Sequence, residues 1–289
     1  MSKHALILDA DYLVFSAMSA AEIETKWEDD IWTLECDHNK AWDILCNSIE
    51  AIIEKRAKWE TSKLVMCFTD AHNWRKGILP SYKMNRKGKR KPTGYVAFVE
   101  RVMAHEDWNS FLRGSLEGDD CMGILGTNPK LVGCDSATLV SCDKDFKTIP
   151  CEFFWLTTGE ILQLTEADAD YWHMYQTLIG DTTDGYGGVK GFGETGAVDF
   201  LNNPYKWTQV EKVFKSGPRK GQTAMEWKKV DKEETDTLWD CMVSLAEKHG
   251  MTEAELLVQA QVARICRASD YNLKTKEVIL WEPNRNNFV

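Results

Sequence analysis

The stretch Ala5-Leu6-Ile7-Leu8-Asp9-Ala10-Asp11 decides how the chain is read. It is a short, continuous apolar run closed by a carboxylate, the pattern of a buried strand. A strand that ends on Asp sets that carboxylate at the carboxyl edge of a sheet, where open α/β folds bind ligands. The pattern recurs. Residues 63–69 run into Asp70, and residues 137–142 run into Asp143 and Asp145. Residues 151–156 read as a fourth strand, with short strands expected at 110–116 and 276–281. Between them, 11–24, 40–59 and 93–104 carry helical spacing, with Trp42, Leu45, Ile49, Ile52 and Ile53 along one face. Residues 27–36 show no clear period. Strands alternating with helices predict an α/β fold on a mostly parallel sheet flanked by helices. Beyond about residue 165 the strand signal fades. Helices are expected at 168–178, 235–249 and 252–267, with an inserted loop or hairpin at 202–234. The division expected is therefore 1–165 and 166–289.

Nine carboxylates fall into five short clusters: Asp9; Asp70; Glu117, Asp119 and Asp120 in L-E-G-D-D at a helix start; Asp143 and Asp145 in S-C-D-K-D-F; Asp181 and Asp184 in G-D-T-T-D-G. Any one of them alone reads as a helix cap or a turn former. Their joint occurrence at strand ends and helix starts is different. So much negative charge in one place requires hard divalent cations. A two-metal phosphoryl-transfer site is the chemistry this implies. Oxygen-only donors favour two Mg²⁺, or Mn²⁺, over zinc. The six histidines, His4, His38, His72, His105, His173 and His249, are isolated in sequence and read as structural or surface residues.

The formal net charge of −10 argues against a uniformly basic coating protein. The distribution matters more than the sum. Arg75, Lys76, Lys83, Arg86, Lys87, Lys89, Arg90 and Lys91 lie within 75–91 with no acid among them. An acidic body with one concentrated basic segment suits an anionic polymer gripped at a particular place. The segment reads as a loop or mobile helix pair. Arg75 and Lys83 are candidates to neutralise a phosphate in the transition state. Tyr82 offers a stacking face for a terminal base. Arg86, Lys87, Lys89, Arg90 and Lys91 are expected to attract phosphates without reading sequence. No stretch reaches the roughly 20 apolar residues needed to span a bilayer. The nine cysteines, an odd and scattered set without a C-x-x-C pair, read as reduced thiols. No cleavable signal pattern precedes the first strand. A cytosolic protein is expected.

Residues 188–201, G-V-K-G-F-G-E-T-G-A-V-D-F-L, place small residues in a tight turn that opens a helix. Backbone N–H groups there can face a phosphate. No strand precedes the turn, which excludes a dinucleotide loop. A helix-hairpin-helix fits, with Gly188, Val189, Gly191 and Gly193 meeting nucleic-acid backbone.

The order I-L-D-A-D, F-T-D, N-W-R-K, Y-K-M-N-R, L-E-G-D-D, S-C-D-K-D-F, G-D-T-T-D-G and G-V-K-G-F-G resembles the 5′-nuclease superfamily, which includes flap endonucleases and the 5′-nuclease domain of bacterial DNA polymerase I. The likeness is greatest to the 5′→3′ exonucleases of T7-like phages and covers residues 5 to about 281. It implies a PIN-like sheet with a helical arch over 75–91 and a C-terminal helix-hairpin-helix (H3TH) region that often holds K⁺ through backbone carbonyls. By motif it makes the nine carboxylates metal ligands or their outer shell, with Asp9 and Asp184 expected further from metal. It places the first metal nearer E-x-D-D and the second nearer D-K-D and D-x-x-D. It makes Arg75 and Lys83 the basic active-site pair. The implied activity is a 5′→3′ exodeoxyribonuclease acting from 5′ ends of duplex DNA, and on RNA in RNA–DNA hybrids during primer removal. Phage replication proteins are the implied partners and the host cytoplasm the implied location. A structure-specific flap endonuclease is the alternative. A non-catalytic DNA-binding relative and a PIN-type RNase fit less well. The segment 202–234 is longer than flap endonucleases need, and matches the phage exonucleases.

Overall fold

The computed structural model describes residues 3–283. In chain order it runs β1 (His4–Asp9), α1 (Ala10–Ala21), β2 (Glu22–Lys26), β3 (Trp32–Cys36), α2 (His38–Ile53), β4 (Lys63–Cys67), α3 (Arg75–Ile78), α4 (Tyr95–Met103), β5 (Asn109–Phe111), α5 (Gly118–Thr127), β6 (Ser136–Ser141), β7 (Glu152–Trp155) and β8 (Glu160–Gln163). There follow α6 (Glu166–Ile179), α7 (Glu194–Asn202), β9 (Tyr205–Val213), β10 (Thr223–Asp231), α8 (Leu238–Lys248), α9 (Glu253–Ala263), β11 (Tyr271–Asn272) and β12 (Glu277–Val278). The chain divides into two compact units. The first takes the chain up to Gly77, Arg86–Ala169 and Ile265–Ile279; the second takes Ile78–Asn85, Asp170–Arg264 and the chain from Leu280. The basic segment 75–91 is thus shared between them. It holds the single turn α3 and a 3₁₀ turn at Met84–Arg86.

The first unit is built on a six-stranded sheet in the order β5-β4-β1-β6-β7-β8, parallel except for β8 against β7. Alternation along β1 explains why it lies at the centre. Leu6 and Leu8 face one core with Leu13, Val14, Met18, Leu45, Ile49 and Phe98. Ala5 and Ile7 face another with Met122, Leu125, Phe146 and Phe153. A strand covered on both faces has to be apolar throughout, as A-L-I-L is. Each buried Leu or Ile of this strand contributes about 1.5–3 kcal/mol by leaving water. Register then fixes the site. Asp9 lies opposite Cys67 on β4, and Leu8 opposite Val140 on β6, so the ends of β1, β4 and β6 are level.

Several local expectations shift. The strand foreseen over 110–116 occupies Asn109–Phe111, and the one over 276–281 is two residues long. Residues 22–36, read as helix end and aperiodic chain, form the hairpin β2–β3. No residue of either strand is fully buried, so no apolar alternation was needed there. The second unit packs α6, α7, α8 and α9 around Leu178, Phe200, Trp239, Met242, Leu245 and Leu256. The insertion at 202–234 is the hairpin β9–β10. No helix among the described residues is long and apolar enough to cross a membrane. All nine cysteines are free thiols.

Candidate active site

Asp9 ends β1 and caps α1. Its Oδ1 accepts the Tyr12 amide at 3.0 Å and its Oδ2 the Ser141 hydroxyl at 2.7 Å. Burial drives its carboxyl up to about 6, against those two hydrogen bonds, and the neighbouring charges of Asp11 and Asp143 push the same way. Asp11 belongs to this group although the reading of the sequence passed over it. Its Oδ2 accepts the Thr69 amide at 2.9 Å, at the end of β4, and burial raises its carboxyl as well. A Cβ on Gly118 would stand 3.0 Å from that oxygen, so Asp11 lies directly against the start of α5. The available signal was the D-A-D spacing itself. The first Asp caps the helix, and the second lies two residues on in the first turn.

Asp143 follows β6 and turns the chain, accepting the Asp145 amide at 2.9 Å. Asp143 is exposed and Asp145 half-buried. Asp70 follows β4 and accepts the Ser115 amide at 2.8 Å, which holds its carboxyl below the usual range. Asp119 lies half-buried in the first turn of α5.

The other two acids of L-E-G-D-D face a different partner. Arg75 is 2% exposed. Its Nη1 meets Glu117 Oε2 at 3.0 Å and Asp120 Oδ2 at 2.8 Å, and its Nη2 meets Asp120 Oδ1 at 2.8 Å. Asp120 also accepts Trp74 Nε1 at 2.9 Å and the amides of Glu117 and Cys266 at 3.2 and 3.0 Å. Burial raises the Asp120 carboxyl, and the Arg75 charge and the donors together outweigh it, so the net shift is downward. Five donors occupy both oxygens. Asp120, expected as a metal ligand or in its outer shell, and Arg75, expected to neutralise a phosphate, are bonded to each other in this structure. A buried guanidinium locked between two carboxylates has its charge answered inside the protein.

Among the described residues, no three His, Cys, Asp or Glu side chains stand close enough to form a ready metal cage. Around Asp9, Asp11 and Asp143 the donor set is nonetheless that of a hard cation: oxygens only, with a buried carboxyl driven up by burial and like charge.

In the second unit, Lys83 sits at φ 54, in the left-handed region. Its amide donates to the Asp184 carbonyl at 2.8 Å, and its Nζ lies 3.5 Å from Asp184 Oδ2. That same carboxylate oxygen accepts the Tyr82 hydroxyl at 2.9 Å. Asp181 accepts the amides of Thr183 and Asp184 at 2.6 and 3.3 Å. Tyr82 is 2% exposed, packed with Tyr186, Val262 and Ala263. The expectation of Tyr82 as a stacking platform for a base is therefore corrected: its ring is core.

Between α6 and α7 the chain makes a glycine-rich turn. Gly180 at φ 71 and Gly188 at φ 60 meet backbone to backbone, and a Cβ on either would lie within 2.4 Å of the other strand of the turn. Gly188 donates to Gln259 Oε1 at 3.0 Å, and Val189, 1% exposed, donates to the Leu178 carbonyl at 2.8 Å. Those two amides hold the turn closed and are not presented to a phosphate, which corrects the expectation for Gly188 and Val189. Gly193 caps α7, and nothing lies within 4 Å of a Cβ built there. Gly191 at φ 77 has only His249 Nδ1 near that position, at 3.9 Å. In the basic segment, Arg86, Lys87, Lys89, Arg90 and Lys91 are exposed. Arg90 forms a two-point pair with Glu22, at 2.7 and 2.8 Å, and Lys91 Nζ stands 4.4 Å from the Tyr95 ring centre.

No family model matches the sequence. It is 48% identical over 283 residues to the exonuclease of Escherichia phage T7, covering 97% of this chain and 94% of that one. To the exodeoxyribonuclease of Enterobacteria phage T3 it is again 48% identical over 283 residues, covering 97% and 93%. Among solved structures it is similar to a T5 5′-exonuclease bound to zinc ions, at 20% identity and TM-score 0.46, over 69% of this chain and 75% of that one.

Proposed function

We infer the reaction from membership: this chain belongs to the 5′-nuclease superfamily, with the exonucleases of T7-like phages. We propose that it hydrolyses phosphodiester bonds of duplex DNA from the 5′ end, in the 5′→3′ direction, and that RNA in RNA–DNA hybrids is a second substrate. The observation that carries the reading is the 48% identity over 97% of the chain. The geometry adds the means. The carboxyl ends of β1, β4 and β6 are level; Asp9 ends β1, Asp11 lies in the first turn of α1, Asp70 follows β4, Asp119 lies in the first turn of α5, and Asp143 and Asp145 follow β6. These residues are the proposed holders of Mg²⁺, with Mn²⁺ able to replace it. A divalent cation held there would lower the pKa of a water and offset charge on the scissile phosphate.

The protein's own groups do the rest. Asp9 is oriented by the Tyr12 amide and the Ser141 hydroxyl, one on each oxygen. Glu117 and Asp120 anchor α5 through Arg75, which keeps Gly118 tight against Asp11. Lys83 remains the proposed phosphate-orienting cation of the second unit, its strained backbone fixed by Asp184. Asp181 and Asp184 remain candidate cation-binding carboxylates of that unit. The exposed lysines and arginines of 86–91 attract phosphates, and Gly191 and Gly193 lie where backbone can approach a duplex. A helix-hairpin-helix role for α6, the glycine turn and α7, with K⁺ on its carbonyls, is part of the same proposal. Contacts of this kind are sequence-neutral and salt-dependent.

The test is product analysis on 5′-labelled blunt, nicked and flapped duplexes with Mg²⁺. Mononucleotides or short oligonucleotides from the blunt and nicked ends are expected. Release of the flap as one intact strand, with blunt ends untouched, would replace the exonuclease by an endonuclease.

A further inference from the structure

The segment 212–222, K-V-F-K-S-G-P-R-K-G-Q, is the tip of the β9–β10 hairpin, and it holds Lys212, Lys215, Arg219 and Lys220 without an acid. The base of the hairpin has a structural reason to exist. Tyr205 and Trp207 are half-buried against the core of the second unit, and the Trp207 amide donates to Ser244 Oγ at 3.0 Å. The outer half has none. Residues 211–213, 215–223 and 225–226 are exposed. A two-stranded ribbon open on both faces is marginally stable by itself. Yet this one is paired in unbroken register from Tyr205–Asp231 to Val213–Thr223 and closed by further bonds between Phe214 and Gln222, and Phe214 and Gly221. Nine residues of strand carry the tip roughly 30 Å along the ribbon.

Charge on the ribbon is sided. Lys212 and Lys228 fall on one face with Thr208, Val210 and Glu226; Lys212 pairs with Glu226 at 2.8 Å. At the tip, Arg219 lies over the Phe214 ring at 5.5 Å. Among the described residues no carboxylate pairs with Lys215, Arg219 or Lys220. Uncompensated cations on a chain of net charge −10, set on an extended arm, match a polyanion.

We propose that the β9–β10 hairpin is a second duplex-binding arm, gripping DNA phosphates through Lys215, Arg219 and Lys220 independently of the glycine turn. It rests on the nuclease reading above. A two-stranded ribbon fits the major groove of B-DNA. Single-strand sites work by stacking bases on aromatic rings. Here the rings near the tip, Phe214 and Trp227, are half-buried, and the exposed apolar side chains are Val213 and Met225. The occupant is therefore duplex DNA.

The experiment is a salt titration of binding to a blunt 30-base-pair duplex, followed by fluorescence anisotropy in EDTA so that no cleavage intervenes. Wild type is compared with the triple variant Lys215→Ala, Arg219→Ala, Lys220→Ala, and with Lys215→Arg, Arg219→Lys, Lys220→Arg. The alanine variant should lower the slope of log K against log salt by about 2 to 3 and weaken binding about tenfold or more at low salt. The charge-conserving variant should keep the wild-type slope. Both should melt as wild type does, since the altered side chains pack on no core. A wild type that binds and degrades duplex while the alanine variant keeps the full slope overturns the arm alone. A slope change seen with single strands and not with duplex also overturns it. A wild type that neither binds nor cleaves duplex overturns the nuclease reading instead.

Discussion

Two groups of acids in the first unit receive opposite treatment. Glu117 and Asp120 are buried with Arg75 between them, and every oxygen of Asp120 meets a donor. Glu152 on β7 is handled alike, with Arg56 at 3.0 Å, Lys58 at 2.6 Å, and Thr138 and Gln163 as further donors. Asp9, Asp11 and Asp143 are gathered with amides, hydroxyls and one another. The first kind is neutralised by the protein's own cations. The second kind accumulates charge at a sheet edge, where an external cation is worth most. Residues that look alike in a motif thus divide by who supplies the positive charge.

The comparison can be broken most sharply at the edge. Asp143→Ala with Asp145→Ala should abolish cleavage, by about 10³-fold or more in turnover if the cations' charge stabilisation is lost. Duplex binding in EDTA should stay within a few-fold of wild type. Full turnover in that variant would sink the metal reading.

Arg75→Ala tests the other kind. It leaves two carboxylates buried without their partner, and should destabilise the fold by about 3–5 kcal/mol in urea melts. A loss of turnover with unchanged stability would instead make Arg75 a substrate-facing group.

Glu152 gives the pH signature of internal neutralisation. Burial raises its carboxyl, but Lys58, Thr138 and Gln163 outweigh burial and hold it at about 2. A depressed carboxyl contributes stability above its unfolded value of 4.5 and loses it as pH falls toward 2. Wild type should therefore lose stability from this group across that window, read as a fall in the urea midpoint, and Glu152→Gln should not.

Asp9 has the reverse sign. Its raised carboxyl contributes stability below its unfolded 3.8, lost as pH rises through about 6. Above that pH, Mg²⁺ at 100 times its dissociation constant should return about 2.7 kcal/mol, read as a rise in melting temperature. Asp9→Asn should show a smaller rise. An equal rise in both would place the cation elsewhere.

Much of this was legible in the chain. A-L-I-L-D and T-L-V-S-C-D announce strands and their edge because a strand buried on both faces must be apolar throughout. The glycine turn and the helices after it were legible from spacing. The β2–β3 hairpin was not, because a ribbon with no buried face imposes no alternation on Trp27–Cys36. Asp11 was hidden for a similar reason: an acid in a helix's first turn is commonplace, and only the close approach of Gly118 gives it a site. Tyr82 read as a stacking ring because its neighbours are basic, yet its contacts, Tyr186 and Val262, lie about 100 and 180 residues further on.

The sequence by itself determined the family, the parallel sheet and which carboxylates end strands, since those follow from local apolar runs and motif order. Tertiary structure alone decided which acids are answered from within. Arg75 reaches Asp120 across 45 residues of chain, and Cys266 reaches the same carboxylate across 146. Neutralisation is a matter of distance in space, and spacing along the chain does not encode it.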